Sequence, residues 1–280
     1  MNIPEISAAE AAAFINHGEW IGVGGFGPAG APKTIPPAIA AKARKEHEAG
    51  HPFKVNIVTG ASIGASCDGE LAAADAIDQR LPFSVNPEIR KAYNSGRVRY
   101  TDLNLSDNAT FLRQGLTGPV DWGIIEACDI QEVRGRVRIF LTAGIGIAPT
   151  ICHSARKGVF VELNTWHSTK LIGMHDIYEI EAPWYRSPIR ITQPVEIIGM
   201  PYIEVSPEHI KGIILTHQPD EARSMTPSTE TTDCIGQHMA DFLVDNMQRG
   251  YINSKKLILQ SGVGSGANAV LGALGQCSEV

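Results

Sequence analysis

Apolar residues along this chain gather in short unbroken runs, and between the runs they recur at helical spacing. Residues 7–15 predict a short helix, with Ser7 placed to cap it and Glu10, three residues on, completing a capping box. Residues 20–25 predict a strand, 36–48 a helix by propensity, and 53–59 a second strand bounded by Pro52 and Gly60. Strand, helix and strand in that order make a βαβ unit. The pattern repeats with an alanine-rich helix over 69–77 and strands at 98–105, 120–127 and 137–142. The loop Ala143-Gly144-Ile145-Gly146 then leads into a helix-like stretch reaching Ala155, and a strand at 158–163 closes the unit. Short apolar strands alternating with helices imply an α/β fold, a mostly parallel sheet with helices on both faces.

Between residues 178 and 203 the texture changes. Pro183, Pro188, Pro194 and Pro201 stand too close together for any helix and predict a loop-rich, extended arm. A strand returns at 211–216, and 232–247 places Ile235, Met239, Phe242, Leu243 and Met247 on one helical face. The run Leu257-Ile258-Leu259 predicts another strand, followed by the turn Gly262-Val263-Gly264-Ser265-Gly266 and a helix over 267–274. A first domain over 1–215 and the beginning of a second over 216–280 are therefore expected.

Composition narrows the function classes. With 280 residues and 43% hydrophobic content the chain can bury a sizeable core. A net charge of -6 without any basic block offers no track for a phosphate backbone, which argues against nucleic acid as a partner. No window approaches the roughly 20 apolar residues of a membrane helix, and the start Met-Asn-Ile-Pro-Glu-Ile lacks the charges and apolar core of a signal peptide. A soluble, cytoplasmic protein is expected. Cys67, Cys128, Cys152, Cys234 and Cys277 are odd in number and widely spaced, consistent with reduced thiols. His153, His167, His175 and His217 fall at no metal-ligand spacing and are expected to face solvent or to be hydrogen-bonded, so neither a metal nor a permanently bound cofactor is expected.

Candidate chemistry sits in the glycine-rich turns. Gly22-Val23-Gly24-Gly25-Phe26-Gly27 has the spacing of a dinucleotide fingerprint, but Pro28, Gly30, Pro32 and Pro36 keep the chain irregular where that motif needs a helix. Thr59-Gly60-Ala61-Ser62 also stands where the motif needs a ribose-binding acid. Such glycines can serve positive φ and close packing alone. Three similar loops, at 60–66, 143–146 and 262–266, each follow an apolar run, and the carboxyl edge of an open parallel sheet is where ligands bind. An extended anionic or acyl ligand is expected there, with Gly25, Phe26, Gly30, Gly60, Ala61 and Ser62 as active-site loop residues. At 262–266, bare backbone N–H groups at a helix start can hold an anion or a developing oxyanion, which selects Gln260, Ser261, Gly262, Val263, Gly264, Ser265, Gly266 and Asn268.

Few side chains stand out for catalysis. No serine occupies a nucleophile elbow and Cys277 has no neighbouring base. Glu279 is either a carboxylate nucleophile or a frayed terminal residue, with little chain in which to turn back toward the glycine turn. Arg223, in a polar loop, is either a solvated surface arginine or a bidentate partner for a substrate carboxylate.

Taken in order, the segments 24–33 (GGFGPAGAPK), 58–62 (VTGAS), 118–121 (GPVD), 161–164 (VELN), 173–178 (GMHDIY) and 260–270 (QSGVGSGANAV) resemble the acetyl-CoA hydrolase/transferase family, in its succinyl-CoA:acetate and propionyl-CoA:succinate CoA-transferase branch. The resemblance implies a class I CoA-transferase with tandem α/β domains, the second incomplete here, usually a homodimer, with coenzyme A as substrate. It implies that a glutamate attacks an acyl-CoA, that CoA thiolate opens the acyl-glutamyl anhydride to a glutamyl-CoA thioester, and that an acceptor carboxylate reverses the sequence. Acyl-CoA and a small carboxylate such as acetate, propionate or succinate are the implied partners. Residues 260–268 would contact CoA and the oxyanion, and an arginine near Arg223 would meet the acceptor. An acetyl-CoA hydrolase on the same scaffold is the alternative, as is a non-catalytic CoA-binding module if the chain ends at Val280. The family keeps its nucleophile in a Thr-Glu-Val unit well beyond the glycine turn, which Cys277-Ser278-Glu279-Val280 imitates too early. The glutamate is accordingly expected past Val280, with this stretch an N-terminal portion that is inactive alone.

Overall fold

The computed structural model describes residues 3–61, 63–181, 183–221, 226–253, 257–262 and 264–277. The chain divides into two compact units, Met1–Ala222 and Arg223–Val280. The elements of the first are α1 (Ala8–Phe14), β1 (Trp20–Val23), α2 (Ile35–Glu48), β2 (Val55–Thr59), α3 (Glu70–Ala73), β3 (Ile77–Leu81), α4 (Pro87–Asn94), β4 (Arg99–Tyr100), α5 (Leu105–Arg113), β5 (Val120–Val133), β6 (Arg136–Leu141), α6 (Ala148–Ser154), β7 (Ala155–Asn164), β8 (Ile203–Val205) and β9 (Ile210–Thr216). The capping box at α1 is present as expected, with Ser7 and Glu10 each closing on the other's backbone.

Strands β4-β3-β2-β1-β5-β7-β9 lie side by side and pair in parallel throughout. Alternation along these strands divides the core into two layers. Trp122 and Ile124 of β5 and Phe160 of β7 face Ile35 and Ile39 of α2, Leu71 of α3 and Ile89 of α4. Ile125 of β5 with Val159 and Val161 of β7 face Leu112 of α5 and Ile151 of α6. Both faces of the parallel sheet are therefore covered, which is why its strands read as continuous apolar runs.

Several elements differ from the expectation. The predicted helix over 69–77 is only the short α3, preceded by a π-helical turn at Ala65–Gly69, and Asp75 at φ 50 ends it before β3. The strand β3 escaped notice because Asp78, Gln79 and Arg80 interrupt its apolar run. Arg80 is wholly buried, with Nε donating to Asp68 Oδ1 at 2.8 Å. Helices α4 and α5 were also unforeseen, although Asn86 caps α4 by accepting from Glu88 N and Ile89 N just ahead of Pro87. Of the strand expected at 98–105, only the two residues of β4 pair. Strand β6 is antiparallel to β5, across a turn in which Arg134 and Gly135 have φ of 52 and 73, the backbone of a tight hairpin.

The arm between β7 and β8 is mostly irregular, as its prolines require, and leaves Trp184, Tyr185, Val195 and Ile197 exposed. The second unit consists of α7 (Glu230–Gln248), residues 257–262 without strand structure, and α8 (Ser265–Gln276). Leu257, Ile258 and Leu259 pair with no neighbouring strand among the described residues, and an apolar run without a ladder partner is not a strand. Ala240 and Leu243 of α7 pack on Leu274 of α8, and a Cβ at Gly236 would lie 2.5 Å from Ala269 O, so glycine there lets the helices close. Among the described residues no helix is long and apolar enough to cross a membrane.

Candidate active site

Three loops at the carboxyl edge of the first unit's sheet interlock. After β1 the backbone turns back on itself, Phe26 N donating to Ala29 O at 3.0 Å and Ala29 N to Phe26 O at 3.2 Å. The loop after β6 passes against this turn so closely that a Cβ at Gly144 would lie 2.2 Å from Ala29 O, and one at Gly146 (φ 53) 2.1 Å from Gly25 O. The loop after β2 joins them, since a Cβ at Gly60 would lie 2.8 Å from Ile147 N. Close packing of backbone on backbone thus accounts for these glycines. The structure brings Gly25, Phe26, Gly30, Gly60 and Ala61 into this one cluster, with the Phe26 ring exposed. Ser62 lies outside the described residues.

Beneath the loops is a buried charged cluster that motif reading missed. Lys33, 3% exposed, ends the β1 loop, and its ammonium contacts Ala31 O at 3.0 Å, Glu126 Oε2 at 2.5 Å and Asp220 Oδ1 at 3.1 Å. The first two are hydrogen bonds and the third an ion pair, so the buried ammonium is met by two carboxylates and a carbonyl. Glu126, from the middle of β5, also accepts from Thr142 Oγ1 at 2.8 Å and Asn164 Nδ2 at 2.9 Å. Asp220 follows β9 and accepts from Gly30 N at 3.1 Å. His167, expected to face solvent or to be hydrogen-bonded, instead tucks its buried Nε2 between Glu126 Oε1 at 3.4 Å and Asp220 Oδ1 at 3.6 Å without a hydrogen bond to either. Sequence spacing could not show this, because its neighbours come from other strands. Glu126, His167 and Asp220 have the donor types of a cation site. Lys33 already supplies a cation to both carboxylates, so these residues do not fit a metal ion as they stand.

Glu162 of β7 does a different job. The α2 N-cap residue, Thr34, makes no side-chain capping bond. Instead the Glu162 carboxylate takes Lys33 N at 2.7 Å, Thr34 N at 2.9 Å and Ile35 N at 2.6 Å, satisfying the free amides of the helix start from another strand. Burial pushes the Glu162 carboxyl up despite these three N–H groups, and Glu126 nearby adds to the rise. The available signal for Glu126 and Glu162 was a single acid inside an otherwise apolar run, since a charge on a doubly covered strand must have a partner. The other three candidate histidines are hydrogen-bonded: His153 to Glu179 and Glu204 O, His175 to Thr142 O, and His217 to Thr165.

The glycine turn of the second unit opens α8 through Gly264, whose φ of 144 admits only glycine comfortably. Gln260, Ser261 and Gly262 are exposed, while Gly264, Ser265, Gly266 and Asn268 are half-buried, with Asn268 N donating to Gly264 O at 3.0 Å. Beside them Met239, Leu243, Val270 and Leu274 line an apolar groove that Gln260, Ser261 and Gly262 border. A helix start next to an apolar groove is suited to a ligand with a negative or polarised oxygen and an aliphatic portion. Val263, Arg223 and Glu279 lie outside the described residues.

Residues 4–214 match the acetyl-CoA hydrolase/transferase N-terminal domain. A propanoyl-CoA:succinate CoA transferase of Escherichia coli is 36% identical over 271 residues, 97% of this chain and 54% of that protein. A succinyl-CoA:acetate CoA-transferase of Clostridium kluyveri is 36% identical over 96% of this chain and 49% of its own length, and an acetyl-CoA hydrolase of Schizosaccharomyces pombe is 33% identical over 93% and 50%. The chain spans about half the length of these relatives. The fold is shared with RipA from Yersinia pestis, at a TM-score of 0.65 and 17% identity over 99% of this chain and 55% of that one. It is shared also with a 4-hydroxybutyrate CoA-transferase from Porphyromonas gingivalis, at a TM-score of 0.53 and 16% identity over 97% of this chain and 51% of that one.

Proposed function

This chain belongs to the acetyl-CoA hydrolase/transferase family, and we propose that the protein moves CoA between a short-chain acyl-CoA and a carboxylate acceptor of the acetate, propionate or succinate kind. The observation that carries this reading is the 36% identity, over 97% of this chain, to a CoA transferase acting on an acyl-CoA and a carboxylate. In the proposed reaction a glutamate carboxylate attacks the thioester carbonyl and expels CoA thiolate, leaving an acyl-glutamyl anhydride. The thiolate then attacks the glutamyl carbonyl and releases the first carboxylate, so that the enzyme carries CoA as a thioester. An acceptor carboxylate reverses both steps, and the thioester bond energy is conserved.

Two features of the molecule support it. Carboxylates are weak nucleophiles and depend on donors aimed at the developing oxyanion, a role that suits the amides around Gly264 at the start of α8. The groove beside that turn would take an apolar part of the CoA arm. We assign the nucleophile to none of the described carboxylates in the buried cluster, because Glu126 and Glu162 are each tied by three or more hydrogen bonds within the fold. Arg223 is assigned to the acceptor carboxylate, and the working enzyme is read as a cytoplasmic homodimer.

The test is an assay of the protein from its complete reading frame. Acyl-CoA with a carboxylate acceptor should yield the new acyl-CoA, with little free thiol released when the acceptor is omitted. Equal release of free CoA with and without acceptor would make the protein a hydrolase, with water in place of the acceptor.

A further inference from the structure

Where α5, the loop between β6 and α6, and residues 176–180 of the arm meet, they leave a cavity of about 270 Å³. That is small for a coenzyme and of the scale of a molecule with a few carbon atoms. Ile145, Ile147, Pro149 and Ile177 give it an apolar wall, and the hydroxyl side chains of Ser106, Thr110 and Thr150 line it too. Thr150 is the telling one. It is only 5% exposed, and its side chain has no hydrogen-bond partner among the described residues. A buried hydroxyl normally has a partner, and the cavity is where one can stand.

The charges around the cavity select that partner. Asp176 takes Ile198 N at 3.0 Å and Gly199 N at 2.6 Å, and Glu179 is paired with His153 at 2.7 Å, so both carboxylates are already engaged. Arg113 is not. Its Nη1 donates to Ile180 O at 3.2 Å, and the guanidinium forms no ion pair among the described residues. One unpaired cation beside an apolar wall calls for a carboxylate with an alkyl tail. A second negative charge on the ligand would face Asp176 and Glu179, which disfavours dicarboxylates and phosphate.

We infer that this cavity is a binding site for a short-chain monocarboxylate, in which Arg113 pairs with the carboxylate, Thr150 donates a hydrogen bond to it, and Ile145, Ile147 and Ile177 hold the alkyl chain. The site belongs wholly to the first compact unit, and it stands whether or not the protein transfers CoA.

Butyrate is the probe, titrated into the complete protein with its isoleucine methyl groups labelled for NMR. The methyl signals of Ile145, Ile147 and Ile177 should shift together and saturate, while those of Ile39 and Ile89, in the other core layer, stay in place. Butyramide has the same shape without the charge, and succinate adds a second one. Each should bind about tenfold more weakly than butyrate, or worse. Arg113→Gln should weaken butyrate about tenfold, and Thr150→Val by a smaller factor. Arg113 is exposed, so its loss should spare the fold, and the same methyl spectrum reports whether each variant is folded. The comparison of butyrate with butyramide needs no variant at all. Shifts that never saturate, butyramide or succinate binding as tightly as butyrate, or unchanged affinity in folded Arg113→Gln or Thr150→Val would overturn the inference.

Discussion

Lys33 stands between two carboxylates and neutralises them in part. Removing the ammonium leaves the wholly buried Glu126 facing Asp220 and His167 without a cation between them. Lys33→Met is therefore expected to cost about 3–5 kcal/mol of stability in denaturant unfolding, the range for breaking one side of a buried ion pair. Lys33→Met with Glu126→Gln should recover part of that loss, because one of the stranded charges is removed with its partner. A second residue controls the arm. Glu179, hydrogen-bonded to His153, raises the imidazole above its ordinary value of 6.5, and the Glu204 carbonyl on the other ring nitrogen adds to the rise. The sign follows from linkage: the stabilising contact is complete below 6.5 and is lost as pH climbs through the raised folded value. Proteolysis within residues 178–200 should accordingly quicken as pH rises above 6.5 through the raised folded value. In His153→Gln that pH dependence should vanish.

Glycine placement decides how closely elements approach. Gly146 combines a φ of 53 with a Cβ position 2.1 Å from Gly25 O, so Gly146→Ala meets both backbone strain and a clash with another loop. A loss of about 1–3 kcal/mol is expected, measured by thermal or denaturant unfolding, with the Gly25–Gly30 turn displaced. Most elements were legible from pattern: the capping box of α1, the apolar runs of β1, β2, β5, β7 and β9, and the prolines of the arm all formed as read. What was missed has a common cause. Strand β3 hides behind Arg80, whose charge is met by Asp68 from a neighbouring turn, and Leu257-Ile258-Leu259 looked like a strand because hydrophobicity reports burial potential and says nothing of a ladder partner. The site divides the same way. Loop glycines are visible as a motif, whereas Lys33, Glu126, His167 and Asp220 are joined only by tertiary pairing of β1, β5, β7 and β9.

At the level of the molecule, a parallel sheet gathers several loop ends on one edge, and a family-wide chemistry can then be placed on them. The chain spans about half the length of the relatives it matches, and the proposed reaction assigns its nucleophile to neither Glu126 nor Glu162 of the buried cluster. Residues 1–280 alone should therefore show negligible acyl exchange under conditions where the complete protein turns over, and robust turnover by them would return Glu279 to consideration. In the complete protein, Arg223→Ala should raise KM for dicarboxylate acceptors by about tenfold or more, as expected when a bidentate charged contact is lost, and unchanged kinetics would remove Arg223 from the site. The most direct test of the whole account is the covalent state of the complete protein after incubation with acyl-CoA and no acceptor. The account predicts a mass increase equal to CoA less one water on a glutamate, discharged as new acyl-CoA when a carboxylate is added. An enzyme that consumes acyl-CoA to free CoA and acid at the same rate with or without acceptor, and never carries that adduct, would contradict it.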